Sequence, residues 1–418
     1  MKTKLLFTLL LANFSIYAQQ YTQIPDINFE NKLIDLDIDS GVPDGKVLTS
    51  SISGITNLNL YDSSISDLTG IEDFTSLTKL YGRKNLLTTI NLSKNINLID
   101  LNVAENELTD LDIKANTLLT RLDCQRNMLT DLNVSQNIKL TYLNVMFNQL
   151  SSLDLTNNLV LDNLVSYSNK LTSLNINNNT LLTELDCGNN LLTSLNVSNN
   201  TLLTILVCNT NQITSLNVSN NKLLVWLMCH FNNLTAIDAS NNPELEMLDC
   251  LDNQITSIDI SKNPKITELA CENNQLTYLN LKNGNNINLD LTYSNFVNNP
   301  NLTCIQVDDV AYSNLKWPTK KDATATYSTS CSSTLGLEES IFDKVVIYPN
   351  PTKGELHINN ILLNKATVYD SLGKLIKTTT FSTGNNDNVI HLAGLPKGTY
   401  YVYLESEGAN TAKKVIVE

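Results

Sequence analysis

Leu181–Thr201 reads L-L-T-E-L-D-C-G-N-N-L-L-T-S-L-N-V-S-N-N-T, a unit of 21 residues that recurs along most of the chain. Rows of this length, laid out from Leu77, start at Leu98, Leu119, Leu140, Leu161, Leu182, Leu203, Leu224, Leu245, Ile266 and, less cleanly, Ile287, with an earlier copy at Ile55 one 22-residue step back. The ninth position of each row is Asn: Asn85, Asn106, Asn127, Asn148, Asn169, Asn190, Asn211, Asn232, Asn253, Asn274 and Asn295. A second column runs from Asn95 to Asn263. A fixed period of this size is the signature of a solenoid. Leu185 and Cys187 alternate with Asp186, so a short strand turns the first two inward and the carboxylate outward. One coil cannot bury its own apolar side, so coils stack and share a core. The turn leaving each strand carries inward N–H and C=O groups that a buried Asn amide satisfies, which makes the Asn columns structural. Twelve coils at about 4.8 Å each give a parallel sheet roughly 55 Å long.

The pattern L-x-x-L-x-(L/C)-x-x-N-x-L resembles the leucine-rich repeat, of the short internalin-like kind, over residues 49–298. Both ends of such a solenoid need covering. Residues 19–48 contain Phe29, Leu33, Ile34 and Leu36 at a spacing that predicts a short N-terminal cap helix, and residues 299–335, with Cys304, Trp317 and Cys331, form the expected C-terminal cap. Ahead of these, Lys2 and Lys4, the apolar Leu5 to Ile16 and the small Ala18 read as a signal peptide over residues 1–18. Beyond a linker at 336–343 the composition changes to short alternating strands broken by Gly, Pro and Asn, which predicts a small antiparallel β-sandwich over 344–418. This segment is similar to the type A C-terminal sorting domain of the type IX secretion system. The similarity rests on Tyr348-Pro349-Asn350-Pro351 with Gly354, on Gly373 after Tyr369-Asp370, on Leu395-Pro396-Lys397-Gly398-Thr399-Tyr400, and on Lys413-Lys414. It implies Bacteroidetes-type export, with the secretion machinery and surface lipopolysaccharide as partners and the outer cell surface or the medium as destination.

The balance of charge narrows the partners. With 28 basic against 42 acidic residues the net charge is −14, which leaves no basic surface to displace counterions from nucleic acid or to dock on anionic lipid. Past the leader no apolar run reaches the roughly 20 residues that cross a bilayer, so an integral membrane protein is not expected. Eight cysteines in an exported chain ordinarily mean four disulfides. Here Cys124, Cys187, Cys208, Cys229, Cys250 and Cys271 all take the inward sixth position with parallel Cα–Cβ vectors, ill-suited to bridging, and read as buried thiols. Cys304 and Cys331 lie outside that column and form the expected disulfide of the C-terminal cap. No nucleophile–His pair, phosphate loop or metal motif appears, so no enzyme, cofactor or metal is expected. Asp35, Asp37, Asp39 and Asp44 hint at a calcium loop, but no Glu closes it.

Function is therefore sought on the outward strand positions, the third, fifth, seventh and eighth of each row, which leucine-rich repeats use as a concave binding face. In the central rows these positions hold Tyr142, Met146 and Phe147, then Val165 and Tyr167, then, after a polar row, Ile205 and Val207. Trp226, Met228, His230 and Phe231 follow in one row, and Met247 and Leu251 in the next. Clustered outward aromatics and Met are the composition of a binding patch for an extracellular protein or glycan; a lateral packing surface is the plainer reading. Nearer the N-terminal end, Lys79, Arg83, Lys84, Arg121 and Arg126 form a candidate anionic subsite, or else pair across strands with Asp100, Glu105 and Asp123. An adhesin or receptor-like module is the leading expectation. A structural surface-layer or matrix component and a substrate-capture subunit for a partner hydrolase are the alternatives.

Overall fold

Three residues of each coil are extended, and the remainder returns to the next coil through turns held by Asn amides. The computed structural model describes residues 19–331, 345–359, 361, 363–381, 388–406 and 409–418, so the expected signal peptide and linker lie outside the described residues. Two units divide after Cys331.

In the first unit an 11-stranded parallel sheet runs without a crossover from Asn57–Asn59 to Glu268–Ala270, and a parallel bridge from Ala270 to Asn295 adds a twelfth coil. The register is constant: Ile205 lies beside Trp226, Trp226 beside Met247, and Met247 beside Glu268. A shorter parallel sheet follows Ser257–Asp259, Tyr278–Asn280, Cys304–Gln306 and Thr326–Ser328, on the returning limbs of the last coils. Inward Leu, Ile and Cys form one continuous core from Ile24 to Tyr327.

The ninth-position Asn residues bind neighbouring coils together. Asn127 Oδ1 accepts from Leu108 N at 3.0 Å, and its Nδ2 donates to the carbonyls of Val103 and Cys124 at 3.0 Å each and of Gln125 at 3.3 Å. The second column is fully buried, and Asn200 Nδ2 donates to Ile176 O at 3.1 Å and to Asn179 O at 2.8 Å. One expectation needs correcting here. The last ladder amide is Asn299, not Asn295: Asn299 Oδ1 accepts from Leu276 N, and its Nδ2 donates to Cys271 O and Phe296 O. The final coil is longer than 21 residues, so a fixed period slips out of phase there.

At the N-terminal end the strand Tyr21–Gln23 pairs antiparallel with Lys46–Leu48, and the helix Ile27–Asp35 lies between them in sequence. Asp26 both caps this helix and clamps it to the first coil. Its carboxylate accepts from Asn28 N and Phe29 N, and from Ser66 N, Ser66 Oγ and Asp67 N. Burial would raise this carboxyl, but the hydrogen bonds from Ser66 N, Ser66 Oγ, Phe29 N and Asp67 N hold it below its ordinary value. Phe29 and Leu33 are buried as expected, whereas Leu36 is exposed because the helix stops one residue earlier. At the other end a Cys304–Cys331 disulfide, the helix Val310–Lys316 and a fully buried Trp317 make the cap.

The second unit is two antiparallel sheets, of three and four strands, over a small core that includes Leu356, Val368, Ile390, Val402 and Val415. Asn350 joins the terminal strand at both its ends, donating to Lys414 O and accepting from Ile416 N at 2.9 Å each. Gly354 has φ near 150°, and a Cβ there would meet Ala393 at 3.2 Å, so the position requires glycine. Among the described residues no helix is long and apolar enough to cross a membrane.

Candidate functional site

Outward positions are not equally open. Parallel strands about 4.8 Å apart let each side chain lean on its neighbours in the adjoining coils. Tyr142, Met146, Phe147, Val165, Tyr167, Ile205, Val207, Met228, His230, Met247 and Leu251 are accordingly half-buried. Trp226 and Phe231 stand clear, 42% and 50% exposed. Fifth-position Asn and Asp residues turn back on the main chain, as Asp186 Oδ1 accepts from Gly188 N at 3.0 Å, which is why that column is less open than periodicity implies.

The patch has two parts, separated by the polar coil of Glu184, Asp186 and Gly188. On its N-terminal side the rings are stacked: Phe147 and Tyr167 meet edge to face at 5.6 Å, and Arg126 lies 4.3 Å from the Phe147 centroid. Tyr167 reaches over Gly188, where an added Cβ would come within 2.9 Å of its ring. Beyond the polar coil, His230 meets Phe231 edge to face at 5.4 Å, and His230 Nδ1 lies 2.8 Å from Asp249 Oδ2 without the alignment of a hydrogen bond.

The eighth position carries a feature that the sequence reading missed. It is left-handed in every coil from Lys84 to Asn298, with φ of 52° at Phe147 and 50° at Phe231. This conformation costs bulky side chains of order 1 kcal/mol, and Asn or Gly would fit it better. No periodicity argument reveals it, because the column holds Lys, Glu, Arg, Phe, Ser, Asn, Thr and Asp.

The basic residues are brought close to carboxylates and rings rather than to one another. Arg83 Nη2 is 2.7 Å from Glu105 Oε1, Lys84 Nζ is 2.7 Å from Asp62 Oδ2, and Arg121 stacks 3.5 Å from the Tyr142 centroid. Tyr81 OH donates to Asp100 at 2.8 Å, and Lys79 is exposed. Burial pushes up the carboxyls of Asp123 and Asp186.

Five successive coils stack Cys187, Cys208, Cys229, Cys250 and Cys271, with Cys124 apart from them; all six are buried and free. Burial raises all six of these thiols, Cys208 to about 12, so none is a thiolate near neutral pH. The chain is similar to the functional domain of InlJ from Listeria monocytogenes, a structure described as including a cysteine ladder: 26% identity, 97% of this chain, 100% of that one, TM-score 0.63. Residues 346–418 match the family described as Secretion system C-terminal sorting domain. This is an internalin-like leucine-rich-repeat chain with a type IX sorting tail. The internalin InlF of L. monocytogenes str. 4b F2365 shares the fold, at 23% identity over 74% of this chain and 96% of that one, with a TM-score of 0.53. No curated protein matches. The sorting tail marks the internalin-like chain for type IX secretion to the cell surface or beyond it, and its repeat fold is one suited to binding protein.

Proposed function

We propose that this internalin-like chain is a secreted or surface-displayed binding protein, an adhesin or receptor-like module. It recognises an extracellular protein or glycan through the outward positions of its long sheet. The observation that carries this reading is the exposure of Trp226 and Phe231 in one coil, surrounded by half-buried Met228, Met247, Leu251, Ile205 and Val207. A protruding aromatic pair inside a ring of packed apolar neighbours is the arrangement of an interface hot spot. Phe231 is moreover kept at a left-handed position that a small polar residue would occupy with less strain. The Phe147–Tyr167 step widens the same face, with the Arg126 guanidinium packed on the Phe147 ring. The tail would engage the type IX machinery and join the product to surface lipopolysaccharide. The chemistry belongs to recognition rather than catalysis.

The test compares the exported chain with its Trp226→Ala/Phe231→Ala variant on glycan and extracellular-protein arrays, with circular dichroism confirming equal folding. Loss of both anchors should weaken binding about thirtyfold or more. Equal binding by the two chains would remove the face from the reading. Silence from both would favour a structural matrix component.

A further inference from the structure

The sheet face closes at its C-terminal end in a cleft of about 600 Å³, and its walls are apolar: Trp226, Met247, Leu251 and Tyr293. Tyr293 belongs to the lengthened last coil. It stands two residues before the bridge residue Asn295, so it continues the column of Trp226, Met247 and Glu268 as a 62% exposed end wall. Between Trp226 and Tyr293 the lining carries three carboxylates, Asp249, Glu268 and Glu272.

These carboxylates differ from a solvated acidic edge. Among the described residues His230 is the one charged or titratable side chain paired with Asp249, whose Oδ1 also accepts from Leu251 N, and Glu268 and Glu272 enter no ion pair. Glu272 Oε2 is buried without a hydrogen-bond partner, and the hydrogen bonds that the carboxylate does receive, from the Asn295 side chain and from its own main chain, offset only part of its burial. Burial, followed for Glu268 by the charge of Asp290, raises both carboxyls. Leaving charge half-desolvated and unpaired is unfavourable unless something arrives to pair with it. A metal ion does not fit, since among the described residues no group of His, Cys, Asp and Glu is gathered closely enough to hold one. A glycan hydroxyl brings no positive charge. A cation on an apolar stem supplies both what the walls and what the floor lack, because the stem is covered by Met247 and Leu251 while the head reaches the carboxylates. A planar guanidinium can also stack on the indole of Trp226.

We infer that this cleft receives a basic side chain, arginine before lysine, of a protein ligand. The inference rests on the proposed binding face and narrows its ligand from protein or glycan to a protein with an exposed basic residue.

The full chain provides its own reporter. Of its two tryptophans Trp317 is fully buried, so ligand-dependent emission change reports Trp226. The probes are N-acetyl-arginine methylamide, its lysine counterpart, the neutral citrulline isostere and calcium chloride. Arginine, and more weakly lysine, should shift the emission saturably, while citrulline and calcium should not; the Trp226→Phe chain should show no shift. In a Glu268→Gln/Glu272→Gln chain with unchanged circular dichroism, half-saturation should rise about tenfold. No saturable shift, an equal response to citrulline, a stronger response to calcium, or an unaltered Gln variant would each overturn the assignment. An array ligand that needs Trp226 and Phe231 yet binds the Gln variant undiminished would overturn it too, while leaving the binding face intact.

Discussion

The two ends of the long sheet share one backbone and differ in how their outward charges are treated. Near the N-terminal end four of the five basic groups meet a partner, Arg83 with Glu105, Lys84 with Asp62, Arg121 on Tyr142 and Arg126 on Phe147, while Lys79 stands exposed. Near the C-terminal end Glu268 and Glu272 enter no ion pair among the described residues, and Trp226 and Tyr293 stand exposed. A surface whose charges and rings satisfy one another has little left to offer a ligand. Open valence, rather than the number of charged residues, is what distinguishes a site from a solvated face. The basic cluster that sequence made conspicuous is thus the less promising of the two ends, and the acidic one gains from its walls.

That contrast can be attacked at three levels. If the ends differ only in surface chemistry, the scaffold beneath them should be equally strong. Asn127→Ala and Asn253→Ala each delete a buried amide serving two coils, and Asn253 accepts from Leu234 N and donates to Cys229 O and Cys250 O. Each should cost about 3 kcal/mol in urea unfolding, because several main-chain groups lose their partner. Unequal costs would show that the ends are not built alike.

Charge removal should have opposite signs at the two ends. Arg83→Ala should destabilise by about 0.5 kcal/mol, the scale of an exposed pair. Glu272→Gln should stabilise slightly, since burial disfavours its ionised form. The sign of its pH dependence follows. A carboxyl raised in the folded chain binds its proton more tightly there than in the unfolded chain. The native state therefore loses stability as pH rises from the unfolded value through the raised folded one. Asp249 and Asp252 place further negative charge beside the same carboxyl, so the Gln variant is the control that isolates Glu272. A Glu272→Gln chain as pH-sensitive as wild type in thermal unfolding would refute this account.

A comparably small effect is expected at Phe231. Phe231→Asn relieves the left-handed backbone and should raise stability by about 0.5 kcal/mol while weakening array binding. A loss of stability instead would mean that the contact with the His230 ring outweighs the strain.

Much of the scaffold was legible from residues alone. Leu at the first and fourth positions, Cys at the sixth and Asn at the ninth repeat because each coil meets the same neighbours, so one row states the contacts of all. The sorting tail was equally readable from Tyr348-Pro349-Asn350-Pro351 and the glycines that follow. The site was less so. Tyr293 escaped notice because the lengthened last coil moves the ladder from Asn295 to Asn299, and a fixed row length cannot register an insertion until the amide is seen to bond. For Arg83 the sequence left two readings open, an anionic subsite or a cross-strand pair, and only the structure shows it meeting Glu105, 22 residues on in the adjoining coil.

Periodicity settled the inward side of this protein, because burial and main-chain hydrogen bonding repeat with the coil and leave each position few alternatives. The outward side was decided in three dimensions. There a side chain's exposure depends on which residue the adjacent strand sets about 4.8 Å away and whether the two can stack or pair. That is why Arg121 and Trp226, both at the third position of their rows, end as a stacked cation and an open anchor.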